Sequence, residues 1–272
     1  MSLCSNLYRK DRIRKLRISI LVSCLWLKAF NWNIKGTKLN EVSKRQMRIF
    51  LSAILVILPD TLIAASALDG IWVLDGPGTE SEILLTEEGE RLRIAYDLLE
   101  DDPSLYCTPA SVARIWANPG SRVEIEQDEE HILISYELFD LRREIPFIKS
   151  SIADFPSTKN LEGTEFAQMG SSVAWYEGDR LIIESTNHIH GYIRTSRGIP
   201  QGSNTHAREE LEVDGDILHI THTYTDASLF EQPLILQYSF NRLENVEIER
   251  YNCTDADYDW FIESNLHKED QP

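Results

Sequence analysis

Between residues 70 and 243 apolar and polar positions alternate in short runs, the period-two pattern of strands with one buried face. Runs suited to strands fall at 70–75, 82–86, 91–97, 122–127, 131–139, 143–148, 173–177, 180–185, 205–213, 216–225 and 233–243. Short connections rich in Gly, Asp and Glu separate several of them, as in Glu87-Glu88-Gly89, Glu177-Gly178-Asp179 and Asp214-Gly215. Strands joined this way become antiparallel neighbours. The pattern therefore predicts an all-β fold, an antiparallel meander closing on itself as a barrel of about eight to ten strands. One short helix is expected, because Thr108-Pro109 offers a cap and an N1 proline ahead of Ala110 to Trp116, and Asn118-Pro119-Gly120 would end it. Residues 149–168 lack periodicity and read as a long loop suited to covering a barrel mouth.

Two hairpins can be given a register. With Asp214-Gly215 as a type I′ loop, Val213 opposes Asp216, Leu211 opposes Leu218, Glu209 opposes Ile220 and Ala207 opposes His222. That face is apolar except for Glu209 and His222, which become diagonal neighbours; the other face, with Arg208, Glu210, Glu212, His219 and Thr221, is expected in solvent. Turning at Gly178-Asp179 pairs Tyr176 with Leu181, Trp175 with Ile182, Ala174 with Ile183 and Val173 with Glu184, and leaves open which face is inside.

An acid and an imidazole on an apolar wall each cost free energy unless they bond one another, a buried Arg or a ligand. Glu209 and His222, with Arg143 and Tyr224, are therefore the expected polar handles for a small, largely apolar ligand, with Trp175 or Tyr176 supplying wall. In an enzyme, Glu209 would be the general acid or base and His222 would orient or share its proton, for isomerisation or hydration of a hydrophobic substrate. In a structural envelope protein without ligand, the same pair would close a filled interior.

The segment from Met47 to Trp72 has an Arg, an apolar run from Ile49 to Leu58 and the small tripeptide Ala65-Ser66-Ala67, the layout of a signal peptide over residues 47–67. Pro59-Asp60 stops the run short of the roughly 20 apolar residues of a membrane span, so no stable insertion is expected after cleavage. Residues 1–46 are then expected to be an extension upstream of the true start, 68–250 one barrel domain and 251–272 an acidic tail. The 67 residues to Ala67 hold 12 of the 27 basic and 3 of the 44 acidic side chains, so the remainder carries 15 against 41, a formal charge of −26. Such a balance speaks against nucleic acid as a partner. The expected location is periplasmic or secreted. In that compartment Cys107 and Cys253, the two cysteines after residue 67, can pair. Nothing in the pattern indicates oligomeric state.

No cofactor or metal site is implied. No phosphate-cradling glycine loop and no G-x-S-x-G occur. His219 and His222 would point to opposite faces of a strand, and His188, His190 and His206 have no spacing that assembles a zinc site.

Gly70-Ile71-Trp72 resembles the G-x-W that opens lipocalin barrels. A wider likeness runs through Tyr106-Cys107-Thr108-Pro109, Pro119-Gly120-Ser121-Arg122-Val123, Leu141-Arg142-Arg143-Glu144-Ile145, Trp175-Tyr176-Glu177-Gly178-Asp179-Arg180-Leu181-Ile182-Ile183-Glu184-Ser185, His206-Ala207-Arg208-Glu209-Glu210-Leu211 and Thr223-Tyr224-Thr225-Asp226. In this order they resemble a family of uncharacterised exported bacterial proteins with a W-E-G-D-T-L-V-V-D-T segment, then H-x-x-E-R-F, then an E-D-P turn. Tyr176 stands where that family has Trp, Glu209 where it has the Glu of E-R-F, and Ser171 where it has His. The resemblance implies the fold and export, and no activity.

Overall fold

The chain is described by a computed structural model over residues 67–147 and 157–254. The strands are β1 (Gly70–Leu74), β2 (Thr79–Glu80), β3 (Arg122–Gln127), β4 (His131–Tyr136), β5 (Leu141–Pro146), β6 (Thr158–Asn160), β7 (Ser171–Glu177), β8 (Arg180–Thr186), β9 (Gly191–Arg194), β10 (Ile199–Gln201), β11 (His206–Asp214), β12 (Ile217–Thr225) and β13 (Leu234–Leu243). Ten of them form one antiparallel path, β6-β5-β4-β3-β1-β13-β12-β11-β8-β7, with β2 added to β13, and β9 pairs with β10 separately. The alternation that predicted them is clearest in β13, where Leu234, Leu236, Tyr238 and Phe240 are buried between solvent-facing neighbours.

The sheet curls until its two ends meet. Phe147, just past β5, bridges Ala174 of β7 in the parallel sense, and the Ser157 amide donates to the Gly170 carbonyl at 3.4 Å. The result is the expected antiparallel, lipocalin-like barrel, with one hydrophobic core inside it. Gly70-Ile71-Trp72 forms a knot where β1 begins. The Trp72 indole donates to the Leu68 carbonyl (3.1 Å), the Arg242 guanidinium lies 4.1 Å from the ring centre, and Arg242 also donates to the carbonyls of Ala67 and Asp69. Gly70 has φ +140°, and a Cβ there would stand 2.6 Å from Arg242 Nη1.

Helix content exceeds the expectation. Three short helices lie among the described residues: α1 (Glu87–Ala95), α2 (Leu98–Asp101) and α3 (Val112–Trp116). Residues 91–97, expected as a strand, belong mostly to α1. Thr86 caps it by accepting from the Gly89 amide, Glu87, Glu88 and Glu90 sit in the first turn, and Arg91 and Arg93 pair with Glu88 and Glu90 three residues back. Residues 82–86 are not a strand either; there Leu85 makes only an isolated bridge to Phe230. The expected helix exists as α3, but its cap is Ser111, whose Oγ accepts from the Arg114 amide and donates to the Ile193 carbonyl. Thr108 instead bonds the carbonyl of Tyr106. The expected loop at 149–168 contains β6 and a 3-10 turn at Ala167–Met169; its residues 149–156 lie outside the described ones, as do residues 1–66 and 255–272, which include the expected extension, nearly all of the expected signal peptide and most of the expected acidic tail.

The Gly178-Asp179 hairpin has the predicted register throughout. The β11–β12 hairpin is displaced: its loop is Gly215-Asp216, only Gly215 takes positive φ (+62°), and Glu209 directly opposes His222. Pairing partners shift by two residues, an even number, so every side chain keeps its predicted face.

Cys107 and Cys253 are joined, with 5.9 Å between their Cα atoms. Cys253 ends a coil strap after β13 that is pinned on the way: Arg122 donates to the Glu247 carbonyl, and the Tyr251 amide donates to Asp140 Oδ1. Tyr251 and Cys253, among the first residues of the expected acidic tail, are therefore tied to the barrel, Cys253 by the expected pairing.

Candidate functional site

The inward alternation of β5, β11 and β12 places Arg143, Glu209 and His222 together at the barrel centre, each 0% exposed. One Arg143 nitrogen, Nη2, donates to Glu209 Oε2 (2.5 Å) and to the hydroxyls of Ser172 (3.1 Å) and Ser185 (3.0 Å). The other Glu209 oxygen accepts from the Trp116 indole at 2.9 Å, while His222 Nδ1 stays 3.8 Å away, beyond hydrogen-bond distance. Strands from both ends of the sheet thus meet on one guanidinium.

Sequence reasoning missed Trp116, Ser172 and Ser185. The two serines were within reach: continuing the Gly178-Asp179 register inward by one more pair sets Ser172 opposite Ser185. Trp116 carried no such signal, because it arrives from α3, 93 residues before its acceptor, and fills the barrel between Tyr136 and Phe240 at ring distances of 5.2 and 5.3 Å.

The remaining handles lie elsewhere. The Tyr224 hydroxyl is buried and accepts from the Ala113 amide (3.0 Å), so it docks α3 onto the barrel. Trp175 faces outward, donating to Glu177 with the Arg208 guanidinium over its ring. Tyr176 points inward but at the far end of β3, where its hydroxyl donates to Gln127 and its ring stacks on Phe147. Arg143, Glu209 and His222 converge, then; Trp175 and Tyr176 do not join them, which corrects the expectation that either would wall a site around that centre.

Electrostatics fix the charge states of the centre. Burial alone would raise the Glu209 carboxyl, but the Arg143 charge, then His222 and the bonds from Arg143 and Trp116, outweigh it and hold Glu209 below the usual carboxylate range. Burial, with Arg143 adding to it, lowers His222 to about 4 against the opposing pull of Glu209. At neutral pH the centre is an ionised Glu–Arg pair beside a neutral imidazole. Among the described residues neither imidazole nitrogen has a hydrogen-bond partner, and Arg143 Nε and Nη1 and the Tyr136 hydroxyl have none of good geometry, although the Tyr136 hydroxyl lies close to the guanidinium.

A cavity of about 620 Å³ lies at the barrel end where β1 runs into Gly76-Pro77. Leu74, Leu98 and Pro119 give it apolar wall, and Arg114, Arg194 and Tyr238 line it with polar groups. None of Arg143, Glu209 and His222 lines it, but the ring of Tyr238 stands between, 5.8 Å from that of His222. Among the described residues no group of three or more His, Cys, Asp or Glu is placed to hold a metal ion, and no helix is long and apolar enough to cross a membrane.

No family model matches the chain, and no curated protein matches it. Solved structures with a similar shape include zebrafish ileal bile acid-binding protein complexed with cholic acid (14% identity, 65% of this chain and 99% of that one, TM-score 0.33). The fluorescent protein UnaG (13%, 66% and 99%, TM-score 0.35) and a fatty acid transporter (13%, 67% and 99%, TM-score 0.33) are others.

Proposed function

We propose that the protein is exported and that its barrel carries a small, largely apolar molecule in the cavity at the barrel end. The observation that carries this reading is the pairing of a sealed centre with a roomy neighbour. Both Glu209 oxygens are occupied, by Arg143 and by Trp116, and Trp116 fills the space beside them, whereas the 620 Å³ cavity has the size and mixed lining usual for small-molecule sites. On this reading the central cluster is structural: it ties both ends of the sheet and α3 to one point.

An acid–base enzyme working at Glu209 is the weaker reading, since a carboxylate kept ionised by a guanidinium is a poor proton acceptor and no substrate path to it is open. A structural envelope role without ligand is favoured by one specific feature, the Trp116 plug. The bridge between Cys107 and Cys253 and the likeness to exported bacterial proteins support export. Native mass spectrometry of protein purified from its own compartment tests both parts. Carriage predicts a co-purified small molecule that leaves on gentle activation; protein that always flies at its bare mass, and is not stabilised by any member of a lipid and metabolite panel, would leave the structural role. Export predicts an N-terminus near Leu68, and a chain retained from Met1 in the cytoplasm would refute it.

A further inference from the structure

The cavity contains a group that its apolar wall does not require. Arg114, in the middle of α3, lines it and a smaller void beside it, and among the described residues its Nη1 is buried with no hydrogen-bond partner. Among the described residues that side chain forms no ion pair with any carboxylate. A buried guanidinium N–H without an acceptor costs free energy that a folded chain ordinarily avoids.

Arg194 reaches the same cavity from β9. Its Nη1 donates to Glu80 at 3.1 Å and, more loosely, to the Tyr238 hydroxyl at 3.4 Å. Glu80 is shared with a second guanidinium, that of Arg197. Asp102 also lines the cavity, but one of its oxygens is occupied by the Ser104 amide. Of the charged side chains that line the cavity two are guanidiniums, Arg114 and Arg194, and one is a carboxylate, Asp102, an excess of positive charge in a chain whose net charge is −17. Thr195 and Ser196, next to Arg194 in the chain, line the cavity as well.

We propose that the carried molecule is an amphipathic carboxylate, its head held between the Arg114 and Arg194 guanidiniums and its apolar body against Leu74, Leu98 and Pro119. This rests on the reading of the cavity as a carrier site. A guanidinium with a free N–H is matched by a carboxylate oxygen better than by any neutral acceptor. The cavity leaves room for a body of some ten carbons beyond the head, within the range that such sites enclose.

Titration calorimetry on the purified full-length protein with decanoate and with decanol, which share a tail and differ in the head, tests the inference. Decanoate is expected to bind at least about ten-fold more tightly, the size of one charge-assisted hydrogen bond. In Arg114→Gln the preference should fall to near parity through loss of decanoate affinity alone, and the thermal midpoint without ligand should not drop, because among the described residues this side chain has no hydrogen-bond or ion-pair partner to lose. Arg194→Gln, made separately, should narrow the preference as well. Equal binding of the two probes, or a preference that survives Arg114→Gln, would overturn the carboxylate assignment and leave carriage standing. Failure of both probes to bind would overturn the two together.

Discussion

At the scale of single residues, the Arg143–Glu209 pair shows how burial converts an ordinary ion pair into a constraint. Each partner in isolation would be an uncompensated charge at the barrel centre, so Arg143→Met or Glu209→Leu alone should destabilise by about 3–5 kcal/mol, while the double substitution should cost much less than their sum. Urea unfolding of the four proteins measures this cycle, and additive losses would mean that the pair is not coupled. His222 predicts the pH response. Its folded-state value of about 4 lies below the unfolded value near 6.5, so between those pH values the unfolded chain binds more protons. Stability must then fall as pH drops from 6.5 towards 4, by about 3 kcal/mol when complete. Glu209, also lowered, adds a further loss only as pH falls below the unfolded carboxylate range. His222→Leu, which forfeits no hydrogen bond, should flatten the 4–6.5 limb and leave stability at pH 8 nearly unchanged. That Glu209 and His222 face inward was readable from alternation alone. Their direct opposition was not, because moving the loop from Asp214-Gly215 to Gly215-Asp216 changes partners without changing faces, so alternation cannot tell the two registers apart.

At the scale of elements, the strands with a single buried face were legible, and of the helices only α3 was. The segment Arg91-Leu92-Arg93-Ile94 alternates like a strand, yet most of its residues are solvent-facing in α1, where the apolar period carries no information. What decides the helix is its first turn, with Thr86 as cap, three acids near the positive end of the dipole, and Gly89 as the buried contact. A Cβ on Gly89 would come within 2.2 Å of the Leu229 carbonyl oxygen. Helix propensity favours Ala over Gly by about 1 kcal/mol, so Gly89→Ala would stabilise an isolated α1. In the protein the opposite is expected: α1 must back away from Leu229, and the midpoint of thermal unfolding should drop. A rise in that midpoint would show that α1 does not dock as described. Ser111, rather than Thr108, caps α3 because its hydroxyl serves two masters, the helix amide and the Ile193 carbonyl of β9. Only the tertiary fold brings the second within reach.

At the scale of the molecule, the chain is held in its closed form at two places far apart in sequence. One is the central guanidinium, where β5 meets β7, β8 and β11. The other is the Cys107–Cys253 bridge, which fastens the strap after β13 to the segment carrying α2 and α3. The strap also comes near α3: Tyr251 of the strap and Arg114 and Ile115 of α3 line one small void of about 160 Å³. Closing a loop of 146 residues is worth about 5 kcal/mol in the chain-entropy model, an upper figure because unfolded chains retain some order. Reduction, or Cys107→Ser with Cys253→Ser, should therefore lower the denaturant midpoint substantially. It should also loosen α2 and the strap before the strands, since the strap runs as coil after β13 and is held, besides the bridge, by separate bonds to Arg122, Glu137, Asp140 and Glu162 rather than by a strand ladder. Hydrogen exchange distinguishes this from uniform weakening. Amides of residues 98–116 should lose protection on reduction under conditions in which β11, β12 and β13, paired along their lengths, keep theirs. Because Arg114 and Leu98 line the cavity, the same loosening should weaken decanoate binding even where the barrel stays folded. Equal loss of protection across strands and helices would mean that the bridge stabilises the barrel as a whole and has no particular hold on the cavity wall.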